Sequence, residues 1–120
     1  MCERPILAGD RALNEWTAVC PLSRLIEQTF VCARVGEADV LLIWDEDHAV
    51  ACERACPHEQ ADLSRGRLSN RRLVCPRHAA SFDLQDGSIT DGWPSRPLTI
   101  YPVRIADGHA WIDTRALAQG

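Results

Sequence analysis

Residues 56–78 read CPHEQADLSRGRLSNRRLVCPRH, and the reading of the whole chain turns on this stretch. Cys56-Pro57-His58 and Cys75-Pro76-Arg77-His78 each offer one thiolate and one imidazole, with sixteen residues between His58 and Cys75. Two short loops that each carry a soft and a borderline ligand suit a metal centre. A lone cysteine is most often a small buried apolar residue. A Cys-Pro pair with a histidine close behind, occurring twice in one segment, is not explained by packing. Zinc bound by two cysteines and two histidines is the competing site, but zinc loops usually separate their ligands by two to four residues so that both reach one tetrahedral ion. Only one residue lies between Cys56 and His58. A binuclear centre removes the difficulty, because neighbouring ligands can then go to different metal atoms.

The surroundings of this stretch differ from the rest of the chain. Residues 53–97 hold four of the seven prolines, and their apolar residues come mostly as isolated pairs. Such a segment is expected to be held by something other than a hydrophobic core. On either side, apolar runs of strand length recur between turn signals, which reads as all-β. The expected strands are Trp16 to Cys20, Thr29 to Val35, Asp39 to Trp44, His48 to Cys52, Leu98 to Ile105 and His109 to Asp113. The run Val40-Leu41-Leu42-Ile43-Trp44 is continuous enough to be buried on both faces. Asp107-Gly108 predicts a hairpin turn. Pro102 predicts an edge or a bulge in a strand whose one face would carry Thr99, Tyr101, Val103 and Ile105. Pro21 to Ile26 predicts one short helical turn, and Thr114 to Gly120 a polar or alanine-rich tail.

A length of 120 residues allows one domain with a core of its own. No apolar run approaches the ~20 residues of a membrane span, and Met1-Cys2-Glu3-Arg4-Pro5 does not lead into a signal-peptide stretch. The expected location is the cytoplasm, where thiols stay reduced. No disulfide is therefore expected, and the four cysteines outside the two motifs, Cys2, Cys20, Cys32 and Cys52, are assigned to packing. His48 and His109 are expected to be structural or solvated. A net charge of −4 gives no reason to expect nucleic acid or anionic membrane as partner. Within 53–77, six arginines (Arg54, Arg65, Arg67, Arg71, Arg72, Arg77) face three acidic residues, a local +3 that leaves −7 for the remainder.

With Phe82-Asp83 and Tyr101-Pro102-Val103 added to the two loops, the chain from Trp16 to Asp113 resembles the bacterial Rieske ferredoxins, whose pattern is C-x-H followed by C-x2-H. The resemblance implies an antiparallel β-sandwich or barrel base, about 1–52 and 98–120, with an inserted cluster-binding subdomain, about 53–97, in a single Rieske domain over 1–120. It implies one [2Fe–2S] cluster per chain, with Cys56 and Cys75 on one iron and His58 and His78 on the other. Gly92-Trp93-Pro94-Ser95-Arg96-Pro97 stands where the family has a third loop that covers the cluster as a stiff lid. Gln60, Ala79 and Ala80 depart from glycines common in the family.

Respiratory-type members carry an extra cysteine in each loop and hydroxyl donors two and four residues after the second histidine. Here Glu59-Gln60-Ala61 and Pro76-Arg77 have no cysteine, and the donor positions are Ala80 and Phe82. Fewer hydrogen bonds to the sulfurs leave the added electron less stabilised, so a low potential is expected. No nucleophile with a base and no glycine-rich phosphate loop occurs elsewhere. The resemblance implies a monomeric electron carrier with no catalytic site of its own, moving single electrons from a flavin-dependent NAD(P)H reductase to a terminal oxygenase. The alternative is a small Rieske-like subunit of a nitrite-reductase-type or other multisubunit reductase. The arginines of 53–77 are expected to surround the electron port at His58 and His78 and to steer docking.

Overall fold

A computed structural model describes residues 6–7, 12–13, 16–36, 38–56, 62–76, 80–91 and 96–113. His58, His78, Gln60, Arg77, Ala79, the stretch 92–95 and the tail 114–120 lie outside the described residues. The chain forms β1 (Ile6–Leu7), β2 (Ala12–Leu13), β3 (Trp16–Pro21), α1 (Leu22–Gln28), β4 (Phe30–Val35), β5 (Ala38–Asp45) and β6 (His48–Glu53). After a 3-10 turn at Leu63–Arg65 come β7 (Arg67–Ser69), β8 (Arg72–Val74), β9 (Ser81–Asp83), β10 (Ile89–Asp91), β11 (Ile100–Tyr101), β12 (Val103–Ala106) and β13 (His109–Asp113).

These strands build three sheets, ordered β1-β4-β5-β6-β11, β10-β9-β8-β7 and β12-β13-β3-β2. All pairings are antiparallel except the parallel one of β1 with β4. The five-stranded sheet is the middle layer. Because side chains alternate along a strand, β5 sends Leu41 and Ile43 to one core and Val40 and Leu42 to another. The expectation that this run is buried on both faces holds for Val40 to Ile43, which are fully buried, while Trp44 is partly buried. One core packs against β3, α1 and β13 through Cys20, Leu25 and Ile112. The other packs against β8 and β9 through Leu73 and Phe82, and also takes in Leu63, Leu84 and Leu98.

This second core corrects the expectation that 53–97 has no hydrophobic support. Its isolated apolar residues come from four separate turns and strands, so they form a cluster only when the sheet β7–β10 folds over the middle sheet. The single strand expected from Leu98 to Ile105 is also corrected. Pro102 divides it, so that β11 pairs with β6 in the middle sheet and β12 pairs with β13 in the sheet β12-β13-β3-β2. A residue without an N–H is a natural point to leave one ladder for another. Tyr101 is buried, while Ile105, expected on the same face, is exposed.

Turn chemistry explains the hairpins. Asp107 and Gly108 both have positive φ, as a two-residue turn matched to strand twist requires. Asn70 and Arg71 do the same between Ser69 and Arg72. Arginine is an unusual occupant there, which is why this hairpin was not visible in the sequence. Helix α1 is longer than the one turn expected, and it anchors through Leu25, which is fully buried.

Candidate metal centre

Cys56 follows the end of β6 by three residues and Cys75 follows β8 directly. Both are buried in the core between the middle sheet and the sheet β7–β10. Neither is in a disulfide. Each stands at the base of a loop whose ends are tied together. In the first loop, Arg54 donates through Nε and Nη2 to the two carboxylate oxygens of Asp62, at 3.0 and 2.8 Å. Asp62 also accepts from the backbone N–H and hydroxyl of Ser64, and the Leu63 N–H donates to the Arg54 carbonyl at 2.8 Å. In the second loop, the Cys75 N–H donates to the Ala80 carbonyl at 2.6 Å, closing the tip of the β8–β9 hairpin.

The first loop is brought to the second by Gly66. A Cβ there would collide with the carbonyl of Val74, the residue before Cys75, so only glycine lets the two segments approach this closely. The stretch after 92–95 is fixed by Glu53. Its carboxylate accepts from both terminal nitrogens of Arg96, at 2.8 and 2.7 Å, and from the Thr99 N–H at 2.7 Å. The consecutive residues Glu53 and Arg54 thus reach to opposite sides, one to the segment around Arg96 and one to the first loop.

Charge states follow from these contacts. The Arg54 guanidinium, with Ser64, outweighs burial and holds the Asp62 carboxyl down to about 2. Burial acts to raise the Glu53 carboxyl, but the bonds from Arg96 and Thr99 outweigh it and keep the group below its ordinary value. Burial and the Glu53 charge push the Cys52 thiol well up, and burial raises Cys20 to about 11 against a smaller opposing effect of Arg24. Both thiols stay protonated, in keeping with packing. Cys32 is also buried but is disulfide-bonded, with its partner outside the described residues. This corrects the expectation of no disulfide, which rested on composition and compartment; neither reports which thiols the fold brings together.

Ala80 and Phe82 are fully buried and offer no hydroxyl. The Ser81 hydroxyl lies 2.7 Å from that of Thr90 on β10, so it is already engaged with a neighbouring strand. His48, the first residue of β6, contacts Asp47 at 2.8 Å, and His109, the first residue of β13, lies 2.9 Å from the Asp107 carbonyl, so each bonds the turn before its strand.

The basic segment does not form one surface around the loops. Arg54 is committed to Asp62. Arg71 and Arg72 line a groove of about 630 Å³ with Asp45, His48, Asp83 and Tyr101. His48 begins β6 and Glu53 ends it, so that groove is at the end of the strand away from Cys56. Arg65 and Arg67 are exposed, and Arg67 pairs in register with Val74, next to Cys75. Of the described arginines in 53–77, Arg54, Arg65 and Arg67 are on the loop side, and of these Arg65 and Arg67 are the exposed ones.

Sequence reasoning missed Glu53, Arg54, Asp62 and Arg96 as the residues that hold the loops. Asp62 with Ser64 was a readable local signal, an acidic side chain two residues before a turn N–H. The Glu53–Arg96 contact spans 43 residues and had none.

Two buried sulfurs in one core, each at the base of a tied loop, fit the cysteine half of a thiolate- and imidazole-bound iron–sulfur cluster. A model of the Rieske-like [2Fe–2S] domain matches residues 15–113. The anthranilate 1,2-dioxygenase ferredoxin subunit of Burkholderia cepacia is 24% identical over 87% of the chain and 96% of its own length. The nitrite reductase [NAD(P)H] large subunit of Klebsiella oxytoca is 28% identical over 91% of the chain, which spans 12% of that longer protein. Among solved structures, a complex of reduced oxygenase and oxidized ferredoxin in carbazole 1,9a-dioxygenase contains a chain similar at a TM-score of 0.75 and 28% identity, covering 83% of this chain and 94% of that one. The tied loops, the layered sheets and the extent of the match together place this chain in the Rieske-like [2Fe–2S] domain family.

Proposed function

We propose that the chain is a low-potential Rieske ferredoxin whose [2Fe–2S] cluster is held by Cys56 and Cys75 on one iron and His58 and His78 on the other. It passes single electrons from a flavin-dependent NAD(P)H reductase to a terminal oxygenase, and it is a carrier, not a catalyst. The observation that carries this reading is the placement of Cys56 and Cys75 in one core at the bases of two loops. Its support includes ferredoxin subunits matched over nearly their full length. When bound, the cluster supplies storage for one electron. The protein's part is to bury the two thiolates, keep water from them with Leu63, Leu73 and Phe82, and hold the loops by Arg54–Asp62 and Glu53–Arg96.

The division into a base, about 1–52 and 98–120, and a cluster-binding subdomain, about 53–97, belongs to this reading; the sheet β7–β10 falls wholly inside 53–97. So does a monomer in the cytoplasm. No helix among the described residues is long and apolar enough to cross a membrane. The absence of hydroxyls at Ala80 and Phe82 supports a midpoint below about 0 mV, within a family range of roughly −150 to +300 mV.

Anaerobic purification with iron and sulfide analysis, EPR of the dithionite-reduced protein and a redox titration test the proposal. A rhombic Rieske signal and a midpoint below zero are expected. Zinc in place of iron, or no such signal, would overturn it. The match to a nitrite reductase large subunit favours a second reading, a small Rieske-like component of a larger reductase. Stable co-purification with a reductase from the native source would decide for it, and recovery as a free monomer against it.

A further inference from the structure

We infer that Glu53 and Arg96 are positioning residues that set the reduction potential: Glu53 holds the Arg96 guanidinium on the Cys56 side of the core, where its charge favours the added electron, and the Glu53 carboxylate moderates that effect. This rests on the ligand assignment proposed above.

Glu53 precedes Cys56 by three residues, so at ~3.3 Å per extended residue their Cα atoms are at most about 10 Å apart. The Glu53 side chain is 14% exposed and that of Arg96 55%, so the carboxylate lies inside and the guanidinium outside. Their geometry is fixed from several directions. Arg96 makes two bonds to the carboxylate and reaches the Pro97 carbonyl at 3.3 Å and the Thr99 hydroxyl at 3.4 Å. The Glu53 N–H also donates to the Thr99 carbonyl at 3.0 Å, while the Thr99 N–H donates to the Glu53 carboxylate at 2.7 Å. The electrostatics agree with this placement. After the larger influence of Glu53, smaller effects of Tyr101 and, last, of Cys56 also act to raise the Arg96 pKa, and the Glu53 charge is felt by Cys52 and Tyr101.

Reduction adds one negative charge to a desolvated site. A fixed cation nearby stabilises the reduced form and a fixed anion destabilises it, each inversely with distance and dielectric. A pair that only braced the loop would give shifts of the same sign, or none, when either member is lost. A pair that sets the field gives opposite signs.

The test is a redox titration of the cluster-loaded protein, followed by EPR or visible circular dichroism. Arg96→Gln should lower the equilibrium constant for reduction by about threefold, which is about 28 mV at 59 mV per tenfold for one electron. Glu53→Gln should raise it by a similar factor, and the double variant should return close to the unmodified protein. Arg96→Lys, which keeps the cation, should stay above Arg96→Gln; this ordering decides the matter if Glu53→Gln does not retain the cluster. Arg104→Gln, which removes a cation stacked on Trp16 in the base sheet, should leave the potential unchanged. Shifts of the same sign for both single variants, or no shift for Arg96→Gln, would overturn the inference. Lack of a Rieske signal in the unmodified protein would instead remove the ligand assignment on which it rests.

Discussion

The two cores share β5 and β6 and are built differently. Below the middle sheet, Val40, Leu42, Ala51, Leu25 and Ile112 form a hydrocarbon core in which Cys20 is a packing residue. Above it, Leu41, Ile43 and Cys52 meet Leu73, Phe82 and Leu63, and the same core contains Cys56 and Cys75. The lower core is drawn from long strands and a helix. The upper one is gathered from three-residue strands and turns, so it needs the ion pairs of Glu53 and Arg54 to fix its loops. One strand can therefore serve a self-sufficient core on one face and a site-forming core on the other.

Removing a proposed ligand should separate the two cores most sharply. Cys75→Ala is expected to reduce bound iron and the visible absorbance to near zero while far-ultraviolet circular dichroism keeps the base strands. Next in size, Leu42→Ala should cost about 2–5 kcal/mol in chemical unfolding, as large-to-small changes in packed cores do, with the cluster retained in the folded fraction. Leu73→Ala should cost a similar amount and also speed iron loss to a chelator. Equal chelation rates for the two variants would mean that the cores are not functionally distinct.

Surface charge gives a smaller effect. Arg65→Glu with Arg67→Glu should slow electron transfer to the oxygenase by about tenfold at low salt, an effect that fades as ionic strength rises. Arg71→Glu with Arg72→Glu, at the far end of β8, should change the stopped-flow rate by less than about twofold. The reverse order would put docking at the groove end.

The Asp62 clamp gives a pH signature. Its folded pKa, about 2, lies below the reference value of 3.8. The clamp therefore contributes stability above pH 3.8, and that contribution is lost as pH falls through about 2. The difference in unfolding midpoint between the native protein and Asp62→Asn should be constant near neutrality and shrink over that acid window. The smallest effect is expected at Ser81→Ala, whose hydroxyl is engaged with Thr90. The midpoint potential should not move.

The paired Cys-Pro motifs made the candidate centre legible because metal chemistry depends on which donors occur and at what local spacing. The strands β3, β4, β5, β6 and β13 were legible for a similar reason, since alternation and turn residues act over a few positions. The upper core was not, because Leu63, Leu73, Phe82 and Leu98 carry no periodic signal until β8 and β9 fold against the middle sheet. The split at Pro102 depended on which ladder each half joins, and the bond at Cys32 on which segments run side by side.

From the sequence alone came the donor set, the all-β class and the local basic excess. The tertiary structure decided that Glu53 reaches Arg96 across 43 residues, that Arg54 serves the first loop, and that Arg71 and Arg72 face away from it. Local chemistry can be read from neighbours in the chain. The direction of a charge and the partner it meets are set by contacts between distant segments, which exist only once the sheets have packed.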